Sequence, residues 1–200
     1  GMKVEEHMSN YFIKDIYEKN RAMMNMEGAL NLYHLLSRTM YQNVSGDVVE
    51  VGCYRGLTAV MLQKTLDEHR SEKKLHVYDS FEGLPEKSPQ DAFSPEGNIK
   101  KSIYQDNKRM GKGWFQTSEE TLRESFHTFE TKLPYIHKGW FEETLPQSLP
   151  EKISFAHLDG DLYESTLVSL ENIYPKMAIG AIAVIDDYCD MDIHERTNAL

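Results

Sequence analysis

The sequence predicts an α/β protein built on a doubly wound, mostly parallel sheet, and three observations carry that reading. From residue 46 onward, short apolar runs alternate with stretches of helical periodicity, the pattern of β-α units that cover both faces of a sheet. The runs are continuously apolar, as in strands buried on both sides. Two of them end in acid: Ile153–Leu158 leads into Asp159-Gly160-Asp161, and Ala181–Ile185 into Asp186-Asp187.

The elements follow in order. Leu32, Tyr33, Leu35, Leu36 and Met40 recur at helical spacing between Met26 and about Asn43, which predicts an amphipathic helix. A weaker pattern at Tyr11, Phe12, Ile16 and Tyr17 marks another helix before it. Residues 1–45 are expected to form a helical cap and 46–200 the α/β domain. Met23, Met24 and Met26 are read as fillers of core gaps in preference to ligand cover. The first strand is Asp47–Val51, with a helix from about Leu57 to His69; the second is Leu75–Asp79. Residues 80–118 are rich in Gly, Pro, Lys and Gln, too long for a simple connector, and are expected to be a lid over the ligand edge. Helix Glu119–Phe129, strand Pro134–Lys138, helix Glu142–Leu149, strand Ile153–Asp159, a helix ending at Pro175 and strand Ala181–Asp187 complete the order.

Composition bounds the partners. The 200 residues carry a formal net charge of -10, which argues against binding nucleic acid or an anionic membrane through their phosphates. There is no basic run, no membrane-length apolar stretch and no signal-peptide pattern. Cys53 and Cys189 are too few for a disulfide framework, so a cytoplasmic setting is expected. Gly1 reads as a leftover residue ahead of the native initiator Met2. A small-molecule partner is expected, with homo-oligomerisation left open.

The acid knots need chemistry. If their strands are neighbours, four carboxylates converge at the carboxyl edge of the sheet, where open α/β folds bind ligands. Such crowding calls for a cation, and a hard divalent metal suits oxygen ligands. An EF-hand loop starting at Asp159 would need glycine at its sixth position and glutamate at its twelfth, where this chain has Glu164 and Leu170. At the other end of the domain, Glu50-Val51-Gly52-Cys53-Tyr54-Arg55-Gly56 closes the first strand and opens a helix. Its glycines permit close backbone approach and the helix start offers free N–H groups. Tyr54 stands where a dinucleotide fingerprint has its middle glycine. Asp79, ending the next strand, has the position of a ribose-binding carboxylate. Together they favour a nucleoside site over a purely structural turn.

These residues resemble motifs one and two of the class I S-adenosylmethionine (SAM) methyltransferases. Val77–Pro85 (VYDSFEGLP), Lys138–Pro146 (KGWFEETLP), Asp159–Thr166 (DGDLYEST) and Ile185–Tyr188 (IDDY) are similar to the macrocin O-methyltransferase family (TylF/MycF type). The likeness covers roughly Gly46 to Tyr188. It implies a Rossmann-like fold and methylation of sugar hydroxyls of antibiotics with SAM and Mg2+. By position, it implies that Glu50, Gly52 and Gly56 line the methionine end of SAM, with Thr58 at the helix start. Asp79 would take the ribose hydroxyls, Ser80 would border the adenine, and Gly139 and Trp140 would flank it. Core packing is an equal alternative for Trp140. Asp159, Asp186 and Asp187 would hold the metal, and Asp161 would be the general base.

Catechol O-methyltransferases carry a lysine as base three residues past the first metal aspartate. Leu162 stands there, which favours Asp161 and weakens a catechol reading. His157 should face the same side of the sheet as Asp159, either as a base or supporting group, or as a satisfied buried histidine. His137 and His194 are given no role. A nicotinamide oxidoreductase is disfavoured by the missing glycine, and a non-catalytic binding module by the intact acids. The seven-stranded fold of this class needs two more strands, which the polar stretch Tyr188–Leu200 does not supply. The expectation is a natural chain that continues, or a sheet without that edge.

Overall fold

The computed structural model describes residues 11–92 and 111–186. Asp187, Cys189, His194 and the central part of the expected lid lie outside the described residues. Helices α1 (Tyr11–Asn20) and α2 (Met26–Tyr41) precede β1 (Asp47–Val51), α3 (Leu57–Glu68) and β2 (Leu75–Asp79). A 3-10 turn at Pro89–Ala92 lies in the insertion. Then come α4 (Glu119–Thr128), β3 (Tyr135–Lys138), α5 (Phe141–Ser148), β4 (Ile153–Leu158), α6 (Tyr163–Ile173) and β5 (Met177–Ile185).

The five strands form one sheet in the order β3-β2-β1-β4-β5, and every neighbouring pair is parallel. The order reverses between β1 and β4, so the crevice at their carboxyl ends is the switch point where such sheets bind ligands. β4 is buried along its whole length, as its unbroken apolar run requires. Each fully buried large side chain, such as Phe155 or Leu66, contributes about 1.5–3 kcal/mol by leaving water.

Two apolar clusters sandwich the sheet. One joins Ile13 and Ile16 of α1, Leu32 and Leu36 of α2, and the buried face of α3. The other joins Val49, Val51, Tyr78 and Leu145, and the Tyr78 hydroxyl donates to the Ser148 carbonyl at 2.8 Å, fastening α5 to the sheet. His137, half-buried on β3, lies flat on the Tyr78 ring with centroids 4.4 Å apart. The first two helices thus share a core with the sheet.

The last strand begins at Met177, four residues before the position that periodicity indicates. Ile153 pairs with Met177 but Phe155 pairs with Ile182, so the ladder is irregular there. Gly180, at φ 85°, takes a left-handed conformation that lets the strand bulge there. The regular half therefore starts near Ala181, the segment whose apolar run is visible in sequence.

Candidate functional site

The carboxyl edge of the sheet opens into a cleft of about 1480 Å3. Leu158 and Ile185 are register partners, so the acids after β4 and β5 emerge side by side. Asp159, Asp186 and His157 each present a ligand atom within 4.8 Å of the others. Asp161 also lines the cleft. It sits at φ 57°, a left-handed conformation that aspartate tolerates better than most residues. The Leu162 N–H donates to the Gly160 carbonyl at 2.6 Å, tightening the turn on which Asp161 stands.

His157 is fully buried between two acids. Its Nδ1 lies 3.0 Å from Glu50 Oε1 and its Nε2 3.2 Å from Asp186 Oδ1. Burial alone would lower its pKa, but hydrogen bonds to Asp186 and Glu50 and the charges of Glu50 and Asp159 outweigh it and raise the value to about 10. A charged imidazole donates from both nitrogens. Both ring nitrogens thus have an acid partner, and His157 joins the buried Glu50 to Asp186 at the strand end. Glu50 itself has its pKa raised by desolvation, an effect that the His157 hydrogen bond and charge oppose. Its Oε2 has no hydrogen-bond partner among the described residues.

The β1-β2 side is built differently. Asp79 Oδ2 accepts from the Cys53 and Tyr54 N–H groups at 3.0 and 2.8 Å, and Oδ1 accepts from the Phe81 N–H at 2.8 Å. Burial raises the Asp79 pKa, opposed by these hydrogen bonds. Each carboxylate oxygen has about two acceptor positions; Oδ1 takes the one Phe81 N–H, which leaves room for a further hydroxyl. The turn after β1 is therefore pinned by the acid at the end of β2.

Two glycines of that turn are required by the protein's own packing. A Cβ on Gly52, at φ 82°, would lie 1.8 Å from the Asp159 carbonyl oxygen, so the β1 and β4 ends meet there. A Cβ on Gly56, at φ 79°, would strike Leu122 of α4 at 2.7 Å. Close ligand approach is thus not needed to explain either glycine. Gly52, Thr58, Asp79, Ser80 and Trp140 line the cleft, whereas Glu50, Gly56 and Gly139 do not. Trp140, half-buried at the start of α5, also lines the cleft.

Other parts of the wall escaped sequence reading. Trp114 and Phe115, from the returning limb of the insertion, line the cleft, and Phe115 meets the Tyr54 ring edge-on at 5.6 Å. That limb is tied to the outgoing one by Leu84 N–H to the Trp114 carbonyl at 2.7 Å and Gly113 N–H to the Leu84 carbonyl at 2.9 Å. Arg21, Met23, Met24 and Asn25, between α1 and α2, close the opposite side. Of the three neighbouring methionines, Met24 and Met26 pack against the core, Met24 also lines the cleft, and Met23 is 44% exposed. A methionine-rich segment next to a helix start was the available signal.

For a magnesium ion, the oxygen donors of Asp159 and Asp186 have suitable chemistry and proximity. For SAM, the remaining acceptor position on Asp79 and the Trp140 ring in the same cleft are suitable partners for a ribose and an aromatic base.

The fold and the position of the cleft are those of the class I methyltransferases. A solved O-methyltransferase, NovP, superposes with a TM-score of 0.69 at 27% identity, over 92% of this chain and 82% of that one. The family model for the macrocin O-methyltransferases (TylF) matches residues 11–198, and this chain belongs to that family. It is 30% identical over 169 residues to the demethyldecarbamoylnovobiocin O-methyltransferase of Streptomyces niveus, covering 83% of this chain and 62% of that protein. It is 29% identical over 172 residues to the mycinamicin III 3''-O-methyltransferase of Micromonospora griseorubida, covering 84% and 65%. The chain thus spans somewhat under two thirds of these relatives' lengths.

Proposed function

We propose that this chain is a SAM-dependent O-methyltransferase, assisted by Mg2+, that methylates a hydroxyl of a sugar or glycoside. The observation that carries this reading is the continuity of the cleft, which has Asp79 and Trp140 at one end and Asp159, Asp161 and Asp186 at the other. Its volume exceeds the roughly 300–1,000 Å3 typical of a single small-molecule pocket, so it has room for a methyl donor and an acceptor together. The related novobiocin and mycinamicin enzymes are named for small-molecule O-methylation.

In this reading Asp79, Ser80, Thr58 and Trp140 hold SAM, which supplies an electrophilic methyl group. Asp159 and Asp186, with Asp187 expected beside them, hold Mg2+, which would orient acceptor oxygens and favour their deprotonated form. Asp161 takes the proton from the acceptor hydroxyl as the methyl group is transferred. His157 orients Asp186 from behind, as supporting groups of metal ligands do. The insertion limb carrying Trp114 and Phe115 covers the acceptor and keeps water out. Among the described residues of the wall, Glu27, Glu86, Glu142 and Glu164 outnumber the one lysine or arginine, Arg21. A neutral or basic acceptor is therefore favoured over one rich in phosphate. The aromatic wall suits a glycoside with a flat aglycone, and also supports a second reading, a phenolic acceptor.

The test is methyl transfer from labelled SAM to a panel of glycosides, free sugars and phenols, with Mg2+ and with chelator. Transfer that needs the metal and falls about 10²–10⁴-fold in Asp161→Asn, with SAM still bound, is the expected result. Absence of SAM binding by the folded protein would sink the proposal. Transfer confined to phenols would select the second reading.

A further inference from the structure

The helices that start at the ligand edge lack side-chain caps of their own. The residues at the cap positions are Gly56 for α3, Trp140 for α5 and Leu162 for α6, and none of these makes a side-chain cap hydrogen bond. By contrast, Ser118 caps α4 by accepting from the Thr121 N–H at 3.2 Å. An apolar residue at the cap position leaves the first N–H groups of a helix without a local acceptor. At α6 an acceptor comes from far away: Asp91 Oδ1 accepts from the Tyr163 N–H at 2.7 Å. The other oxygen of Asp91 accepts from both the N–H and hydroxyl of Ser88, at 2.7 and 2.8 Å. The carboxylate is thus fixed at its base and also faces the positive end of the helix, where an anion is favoured.

This contact sits two residues from Asp161. The turn Asp159–Leu162 is anchored on its strand side by Asp159 N–H to the Val51 carbonyl at 2.8 Å, and Leu162 is buried. On its helix side, Asp91 holds the first N–H of α6. We propose that Asp91 is a positioning residue, which fixes the direction in which Asp161 is presented by tying the start of α6 to the 88–92 segment of the insertion. This rests on the reading of Asp161 as the base. Misplacing a catalytic group by about 1 Å can cost as much as 10²-fold in rate, so a remote contact that sets its position has kinetic weight.

The test compares the full chain with Asp91→Ala and Asp91→Asn. The asparagine keeps an Oδ1 acceptor for the Tyr163 N–H. Amide exchange at Tyr163 and turnover are measured together, with SAM affinity as the control. In Asp91→Ala the Tyr163 amide is expected to exchange faster and kcat to fall about tenfold or more, with SAM affinity and melting temperature little changed. Asp91→Asn, which loses the acceptor for the Ser88 N–H, is expected to restore the slow exchange at Tyr163 and part of the rate. Unchanged exchange in Asp91→Ala would overturn the anchor, and faster exchange with unchanged kcat would overturn its positioning role. A wild-type chain without methyl transfer would defeat the proposed function instead, while the exchange result would still decide whether the anchor exists.

Discussion

The two halves of the cleft are held in opposite ways. Over β1 and β2, a single carboxylate, Asp79, gathers three backbone N–H groups from the two turns beside it. The result is a backbone-defined cradle whose shape depends little on side-chain charge elsewhere. Over β4 and β5, the working acids follow the strand ends, and their support comes from across the chain. Glu50 reaches them through His157, and Asp91 reaches the start of α6. A cradle built from backbone suits a ligand group of fixed shape. A cluster built from opposed charges suits a site that must admit a cation and an acceptor.

That contrast can be broken most forcefully at His157. Replacement by leucine would leave Glu50 buried without its counter-charge and Asp186 without its orienting donor. Loss of one partner from a buried pair costs about 3–5 kcal/mol, and urea unfolding of His157→Leu should read a loss of that size. A loss under about 1 kcal/mol, the range of an exposed pair, would show that the buried charge pair is not a structural support. A smaller effect is expected at the cradle. Asp79→Ala should cost about 1–3 kcal/mol, the penalty of leaving polar groups unmade, and should weaken SAM binding while sparing Mg2+. Equal losses of both ligands would erase the distinction between the halves.

Much of the site was legible because strand ends are local signals. The apolar runs before Asp159 and Asp186 say where β4 and β5 stop, and a parallel sheet does the rest by aligning those stops. Asp79 was legible for the same reason, although its hydrogen bonds to the turn were not. The contacts that escaped reading join residues distant in sequence: His157 with Glu50, Asp91 with Tyr163, and Phe115 with Tyr54. Each depends on strand order, helix placement or the path of the insertion, none of which leaves a periodic trace. The glycines show the complementary difficulty. Gly52 and Gly56 look alike in sequence, yet only Gly52 lines the cleft, and Asp159 and Leu122 exclude any larger side chain at the two positions.

The proposed division of the cleft into a SAM half and a metal half is tested most directly by calorimetric titration of Mg2+ and of SAM, separately, into wild type and Asp186→Ala. Mg2+ affinity should fall by about tenfold or more, as when metal sites lose supporting groups or ligands. SAM affinity should stay within about twofold, as expected for independent sites. Unchanged Mg2+ binding, or SAM binding that falls in parallel, would contradict the division.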